Sequence, residues 1–315
     1  MQLSKLSLRT FFHNVYNLFV YDYHQYDLKQ SRQMDFMWVS AFFHQLQSYS
    51  HECGSAPYRD ELDYIMKNGV CNFPYEHIKT LESVETGFDT DLAMPFVVHH
   101  GKKLYFPGDF TVKQAEEKYR QLIETENLLG GGYTIKAPHQ YQTESFKVEE
   151  GDVFVDVGAA EGLVALDVVE KASKLYLVES EAYWLPALRA TFEPYRDKCK
   201  IINKLVSDKN SANTITLDKL LGDEKEKSMF VKMDIEGFET RVLVASRDFL
   251  AAEPRVKVAC CTYHKAADAQ TLASLFDELG YHHEFSDGWM LYKMADEDAL
   301  DPPYFRHGVL RAKKQ

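Results

Sequence analysis

The chain has 315 residues, 45% apolar and 27% charged, which allows a sizeable core and excludes a globally disordered polymer. Its formal net charge of −12 and pI near 5.5 exclude the broad basic face that duplex DNA or structured RNA requires, so no nucleic-acid partner is expected. The five cysteines (Cys53, Cys71, Cys199, Cys260 and Cys261) contain no Cys-x-x-Cys pair, which speaks against a zinc ribbon or a redox dithiol and fits a reducing, cytoplasmic setting.

Residues 1–50 are rich in Phe, Tyr, His and Gln and lack Gly and Pro. Phe11, Val15, Leu18 and Phe19 recur at helical spacing, as do Phe36, Val39, Phe42 and Phe43, which predicts two or three helices. Their aromatic side chains read as a packing face or as a surface through which two copies pair as a homodimer. The segment from Phe11 to Tyr23 is broken by His13, Asn14, Asn17 and Asp22. No signal peptide and no membrane span are expected. Phe96 to Pro107 reads as a β-hairpin around Gly101, with His99 and His100 as turn residues rather than metal ligands. Thr111 to Leu129 reads as a helix that ends at Gly130-Gly131-Gly132.

From Phe146 onward strands and helices alternate. Strands are predicted at 153–157, 175–178, 200–203, 229–233 and 256–262, with helices at Thr240–Ala251 and Ala267–Leu279 among the gaps. After Gly280 the segments 281–285, 289–294 and 305–312 read as strands with no helix between them. Trp289 and Tyr304 on these late segments read either as core or as the wall of an acceptor pocket. The expected fold is therefore α/β: a Rossmann-like, mostly parallel seven-stranded sheet with an antiparallel last strand, plus a mainly helical N-terminal region. The expected division is 1–136 for the helical and mixed region with its hairpin, and 137–315 for a cofactor-binding domain.

The stretch from Val153 to Gly162 (VFVDVGAAEG) is the most informative one. It is a buried strand running into a glycine turn and then a helix over roughly 163–171, whose first N–H groups are free. Some twenty residues on, Lys174 to Glu179 is a second strand ending in an acid suited to ribose hydroxyls. A dinucleotide fold needs Gly-x-Gly-x-x-Gly, because a pyrophosphate must approach bare backbone. Here the middle glycine is missing, Glu161 stands in the turn, and Asp156 precedes it. Such charges disfavour phosphate and favour a sulfonium and an ammonium group, hence S-adenosylmethionine. Asp156, Gly158, Ala159, Ala160, Gly162 and Glu179 are the expected cofactor contacts. Leu205-Val206-Ser207-Asp208 follows the third strand, where Val206 and Ser207 are expected to border the adenine.

Further segments extend this reading. Thr216-Leu-Asp-Lys-Leu-Leu221, Phe230-Val-Lys-Met-Asp-Ile-Glu-Gly-Phe-Glu239, Ala137-Pro-His-Gln-Tyr141 and Thr262-Tyr-His-Lys265 occur in that context. Together with the glycine loop they resemble the FkbM-type methyltransferases, a branch of the class I S-adenosylmethionine-dependent enzymes. The resemblance covers residues 137–312. It implies methyl transfer to a hydroxyl oxygen of a sugar, glycan or other small molecule. Relatives often carry Asn where Ala160 stands, which bears on contacts to the methionine end of the cofactor.

Methyl transfer to an alcohol needs close in-line positioning and removal of a proton. Asp234 and Glu236 follow the fourth strand and His264 follows the fifth, so all three are expected at the carboxyl edge of the sheet. Asp234 is expected to hold the cofactor's ammonium group or border the methyl. Glu236 or His264 is the expected base. The three could also hold magnesium or manganese, but nothing in their spacing demands a metal, and none is expected. Two other readings compete: an NAD-linked dehydrogenase or epimerase, and a non-catalytic interaction protein built on the same fold.

Overall fold

The computed structural model describes residues 58–69, 71–224, 226–291 and 304–314. The expected N-terminal helices and their pairing surface lie outside these residues, as does the end of the predicted strand 289–294. The chain divides into two compact units, Met1–Glu76 with Trp289–Arg306, and His77–Gly288 with His307–Gln315.

In the first unit a helix, α1 (Arg59–Asn68), turns Leu62 and Ile65 inward against Leu291, Tyr304 and Phe305. Trp289 packs on the same cluster, so Trp289 and Tyr304 belong to a small core here. Tyr75 donates its hydroxyl to the buried Glu61 carboxylate at 2.8 Å.

The second unit carries the fold expected from the sequence. A three-stranded antiparallel sheet comes first, β1 (Thr86–Asp89), β2 (Met94–His99) and β3 (Lys102–Tyr105). The two-residue turn between β2 and β3 is His100-Gly101, both at positive φ, as tight hairpins favour. His99 is not a turn residue: it ends β2, buried, 2.9 Å from the Tyr119 hydroxyl and 3.1 Å from Asp167. The following helix, α2 (Val112–Arg120), opens on a capping box between Thr111 and Gln114. It loosens into a π-turn over Gln121–Thr125, and the glycine triplet at φ 77, 90 and 75 lies five residues further on.

The main sheet is built from β4 (Val153–Val157), β5 (Lys174–Val178), β6 (Cys199–Ile202), β9 (Met229–Met233), β10 (Val256–Cys261), β11 (His282–Phe285) and β14 (Val309–Lys313). Short β7 (Leu205–Val206) and β8 (Thr214–Ile215) pair with each other, and β12 (Met290–Leu291) pairs with β13 (Phe305–Arg306) in the first unit. The order across the sheet is β11-β14-β10-β9-β4-β5-β6, and β14 alone runs against its neighbours. This is the mostly parallel seven-stranded sheet with one antiparallel strand that the sequence pattern predicts. Every residue of β4 and β9 is buried, as central parallel strands with both faces covered must be.

Two expectations are refined. The segment 305–312 is not one strand: it breaks at His307-Gly308, whose carbonyls accept from Thr262, and only Val309–Lys313 enters the main sheet. The helix expected at 240–251 is two, Glu239–Ala245 and Arg247–Ala252. They are parted at Ser246, whose hydroxyl bonds back to the Val242 carbonyl at 2.8 Å.

The chain runs outward from β4 to β5 and β6, then returns to place β9 on the other side of β4. Strand order reverses between β4 and β9, and ligands of open α/β sheets collect in the crevice at that point.

Candidate functional site

At the end of β4 the backbone turns on Gly158 (φ 79), Ala160 (φ 44) and Gly162 (φ 82). A Cβ on Gly158 would lie 1.9 Å from the Asp234 carbonyl oxygen, so the turn and the end of β9 touch backbone to backbone. A Cβ on Gly162 would meet Phe192 and Leu188 at 2.8 and 2.9 Å, which seats the next helix, α3 (Leu163–Val168), close to its neighbour. Glu179, just past β5, ties this turn down. One of its carboxylate oxygens accepts from the Ala160 N–H at 2.9 Å and the other from the Glu181 N–H at 2.7 Å.

Asp156 and Lys232 occupy paired positions on adjacent β4 and β9. Asp156 is only 1% exposed and lies 2.9 Å from the Lys232 ammonium, which also donates to the Gly158 carbonyl at 2.6 Å. Burial opposes the charge on Lys232, but the Asp156 and Asp234 carboxylates outweigh it and hold the ammonium protonated. The pair braces the glycine turn from within the sheet. Val206 and Ser207 lie buried at the end of β7; the Ser207 hydroxyl donates to Asp208 at 3.0 Å, and Asp208 pairs with Arg241 at 2.9 Å.

Asp234 is the hub. The Tyr141 hydroxyl donates to it at 3.2 Å and the Tyr263 hydroxyl reaches both carboxylate oxygens at 3.3 Å. His139 and His264 each place Nε2 at 3.5 Å, on opposite carboxylate oxygens. A further carboxylate backs each imidazole: Glu126 lies 3.2 Å from Nδ1 of His139, and Glu239 lies 3.0 Å from Nδ1 of His264. The Glu236 carboxylate, 74% exposed, stands 3.4 Å from His264 Nε2. Glu239 is fully buried and also accepts the Ile235 N–H at 2.8 Å.

These contacts set the charges. Burial works against the Asp234 carboxylate, but His139, His264 and Lys232 overcome it and hold the group far below the usual carboxylate range. Burial likewise opposes the charge on His264, yet Glu236, Glu239 and Asp234 push it up to about 10. His139 is raised as well, by Asp234 and Glu126 against its burial. Burial and the Asp234 charge raise Tyr141 and Tyr263, so both remain phenols and hydrogen-bond donors.

Of the residues singled out in the sequence, Gly158, Ala159, Ala160, Gly162, Asp234, Glu236 and His264 converge on the carboxyl edge at β4, β9 and β10. Sequence reasoning named the segments holding His139, Tyr141 and Tyr263 without giving them a place in the site. It likewise named the segment holding Lys232 and Glu239 without assigning either a role, and passed over Glu126. Glu126 follows the π-turn, an irregularity frequent at functional sites but without a sequence signature. Among the described residues, three groups could gather around a cation: Asp234 with Glu239 and His264, Asp234 with His139 and Cys261, and His99 with His100 and Asp167. The Cys261 thiol is pushed well up by burial and Asp234, which makes it a poor ligand.

No protein-family model and no curated protein matches the chain. Among solved structures it is similar to the methyltransferase FkbM from Methylobacillus flagellatus KT, with 20% identity and a TM-score of 0.41. It is also similar to precorrin-6y C5,15-methyltransferase from Geobacter metallireducens GS-15, at 12% identity and a TM-score of 0.37 over 54% of this chain and 83% of that one. M. jannaschii TYW2, solved in complex with AdoMet, matches at 14% identity and a TM-score of 0.37 over 74% of this chain and 88% of that one. The match to the FkbM protein takes in 53% of this chain and spans 44% of that one, less than half its length.

Proposed function

We propose that this chain is an S-adenosylmethionine-dependent methyltransferase of the FkbM type that methylates a hydroxyl oxygen of a small molecule, with sugars and glycans among the acceptors. The observation that carries this reading is Asp234, a carboxylate held as an anion by two phenol donors and two imidazoles at 3.5 Å, at the point where strand order reverses. A cofactor bearing a sulfonium and an ammonium suits a crevice edged by Asp234, Glu236 and Glu179. A pyrophosphate does not, since Glu161 sits buried within the turn. The residues that would hold the cofactor are the Gly158–Gly162 turn, Glu179, Val206, Ser207 and Asp234; when bound, it would supply a methyl group carried on sulfur. In this reading Asp234 supplies fixed negative charge, and His264 with Glu236 handles the acceptor's proton. Residues 137–315 then form the cofactor-binding domain, and residues 1–136 contribute to acceptor choice.

The test is calorimetry on the purified protein with S-adenosylhomocysteine and with NAD. Binding of the first and not the second is expected, with loss of binding in Glu179→Ala and Gly158→Arg. A protein that binds NAD, or neither compound, sinks the reading.

A further inference from the structure

The His264 ring lies in a pocket of carboxylates. Its side chain is 3% exposed, Glu239 faces Nδ1 at 3.0 Å, and Asp234 and Glu236 face Nε2 at 3.5 and 3.4 Å. Among the described residues, other charged or titratable groups stand near it on the neighbouring segments. Lys265 follows it in the chain, and Asp268 accepts the Lys265 N–H. Tyr263 precedes it and donates to Asp234. Behind Asp234 stand Lys232, paired with Asp156, and His139, paired with Glu126. Three carboxylates thus face one imidazole, and one of them, Asp234, is also the edge of the crevice.

Resting on the methyltransferase reading, we propose that the cofactor's sulfonium charge, at the methyl-bordering side of Asp234, and the His264 proton compete for these carboxylates. Cofactor binding then strips His264 of a proton and leaves Nε2 ready to take the acceptor's. The competition resolves a difficulty in the site. An imidazole pushed up to about 10 is protonated at neutral pH and cannot serve as a base. A cation in contact with Asp234 stands within roughly 7 Å of His264, and at an effective dielectric near 20 such a charge lowers the imidazole's pKa by about 2. That brings the group down toward the range of base chemistry near neutrality.

The same competition balances the chemical step. The acceptor oxygen forms its bond to the methyl carbon as the carbon–sulfur bond breaks with its electron pair left on sulfur, and the hydroxyl proton passes to His264 Nε2. An imidazolium returns as the sulfonium charge is lost, so the total charge among Asp234, Glu236 and Glu239 does not change. Charge need not be moved to or from water during the reaction.

The inference is tested without any acceptor. Calorimetry on the full chain at about pH 8, in buffers of different ionisation enthalpy, counts the protons released on binding. S-adenosylmethionine is expected to release about half a proton, and S-adenosylhomocysteine, which lacks the sulfonium charge, close to none. The difference is expected to vanish in His264→Gln. Equal proton counts for the two compounds in the wild-type protein would overturn the competition, and that comparison needs no variant to fold. A difference that survives in His264→Gln would overturn its assignment to His264. Failure of both compounds to bind is a separate result, which removes the cofactor reading and this proposal with it.

Discussion

Lys232→Met is the sharpest test of how the site is braced. The substitution keeps the length of the side chain and removes its charge, leaving Asp156 at 1% exposure without its partner at 2.9 Å and the Gly158 carbonyl without its donor. Removing one member of a buried pair costs about 3–5 kcal/mol, because the remaining charge is stranded away from water. The unmet Gly158 carbonyl adds about 1 kcal/mol. The double variant Lys232→Met with Asp156→Leu replaces the pair by apolar volume, and it is expected to recover all but about 1–2 kcal/mol. Urea unfolding of the wild type, both single variants and the double variant gives the cycle directly. The pH dependence has a definite sign. Burial pushes the Asp156 carboxyl up and Lys232 opposes it, so losing Lys232 raises it further. A group whose pKa is higher folded than unfolded contributes stability below its unfolded value, near 4, and loses it as the pH rises through the folded value. The Lys232→Met deficit should therefore be smallest in acid and grow toward neutrality. A deficit under about 1 kcal/mol at neutral pH, or a double variant as unstable as the sum of the singles, would refute the reasoning.

Three other outcomes are expected. His264 is raised to about 10, so the stability it contributes is complete below its unfolded value near 6.5 and is lost as the pH rises through about 10. Urea midpoints from pH 6 upward should fall accordingly and flatten in His264→Gln. Glu224 behaves oppositely. Burial opposes its charge, but Lys174, Lys227 and the Tyr176 hydroxyl lower it to about 2, so its stabilisation is present above the usual carboxylate range and lost as the pH falls through about 2. Acid unfolding of Glu224→Gln should be less steep. Gly158→Ala combines a positive φ with a Cβ 1.9 Å from the Asp234 carbonyl, and should cost more than about 2 kcal/mol and abolish S-adenosylhomocysteine binding. Gly151→Ala, also at positive φ but facing open space, should cost about 1 kcal/mol and leave binding intact.

What the sequence reveals of this fold is what depends on local pattern. The apolar runs at 153–157 and 229–233 have one stable use, a central strand covered on both faces, and both bounds agree with the structure. Gly158 and Gly162 signal their turn because only glycine tolerates the contacts they make. What is not legible is the pairing of distant side chains. The Asp156–Lys232 pair is not visible until β4 and β9 are seen side by side, where the register sets the two residues opposite each other. His139 and Glu126 come from segments ahead of the core, and nothing in their spacing says that one orients the other. Ser246 breaks a helix that periodicity draws as continuous, because its hydroxyl competes for a backbone carbonyl.

The geometry also sorts three candidates that the sequence left side by side. A carboxylate has about four lone-pair sites, and Asp234 already faces two phenols and two imidazole nitrogens. Under the proposed reaction it has no room to take a proton and little basicity with which to do so, so it serves as a fixed charge. Glu236 is held at φ 53, a strained position for a residue with a side chain, and its carboxylate reaches solvent while still facing His264. Among the described residues of the cluster it is the most exposed, at 74% against 21% for Asp234. His264, enclosed between the two, is the group whose protonation state answers to the charge beside it. Under the proposal the order is a proton leaving His264 past Glu236 as the cofactor binds, then the acceptor's proton restoring the imidazolium, with Asp234 unchanged throughout. Glu236→Gln should therefore slow the proton release that accompanies cofactor binding more than it weakens that binding, whereas Asp234→Asn should weaken binding first.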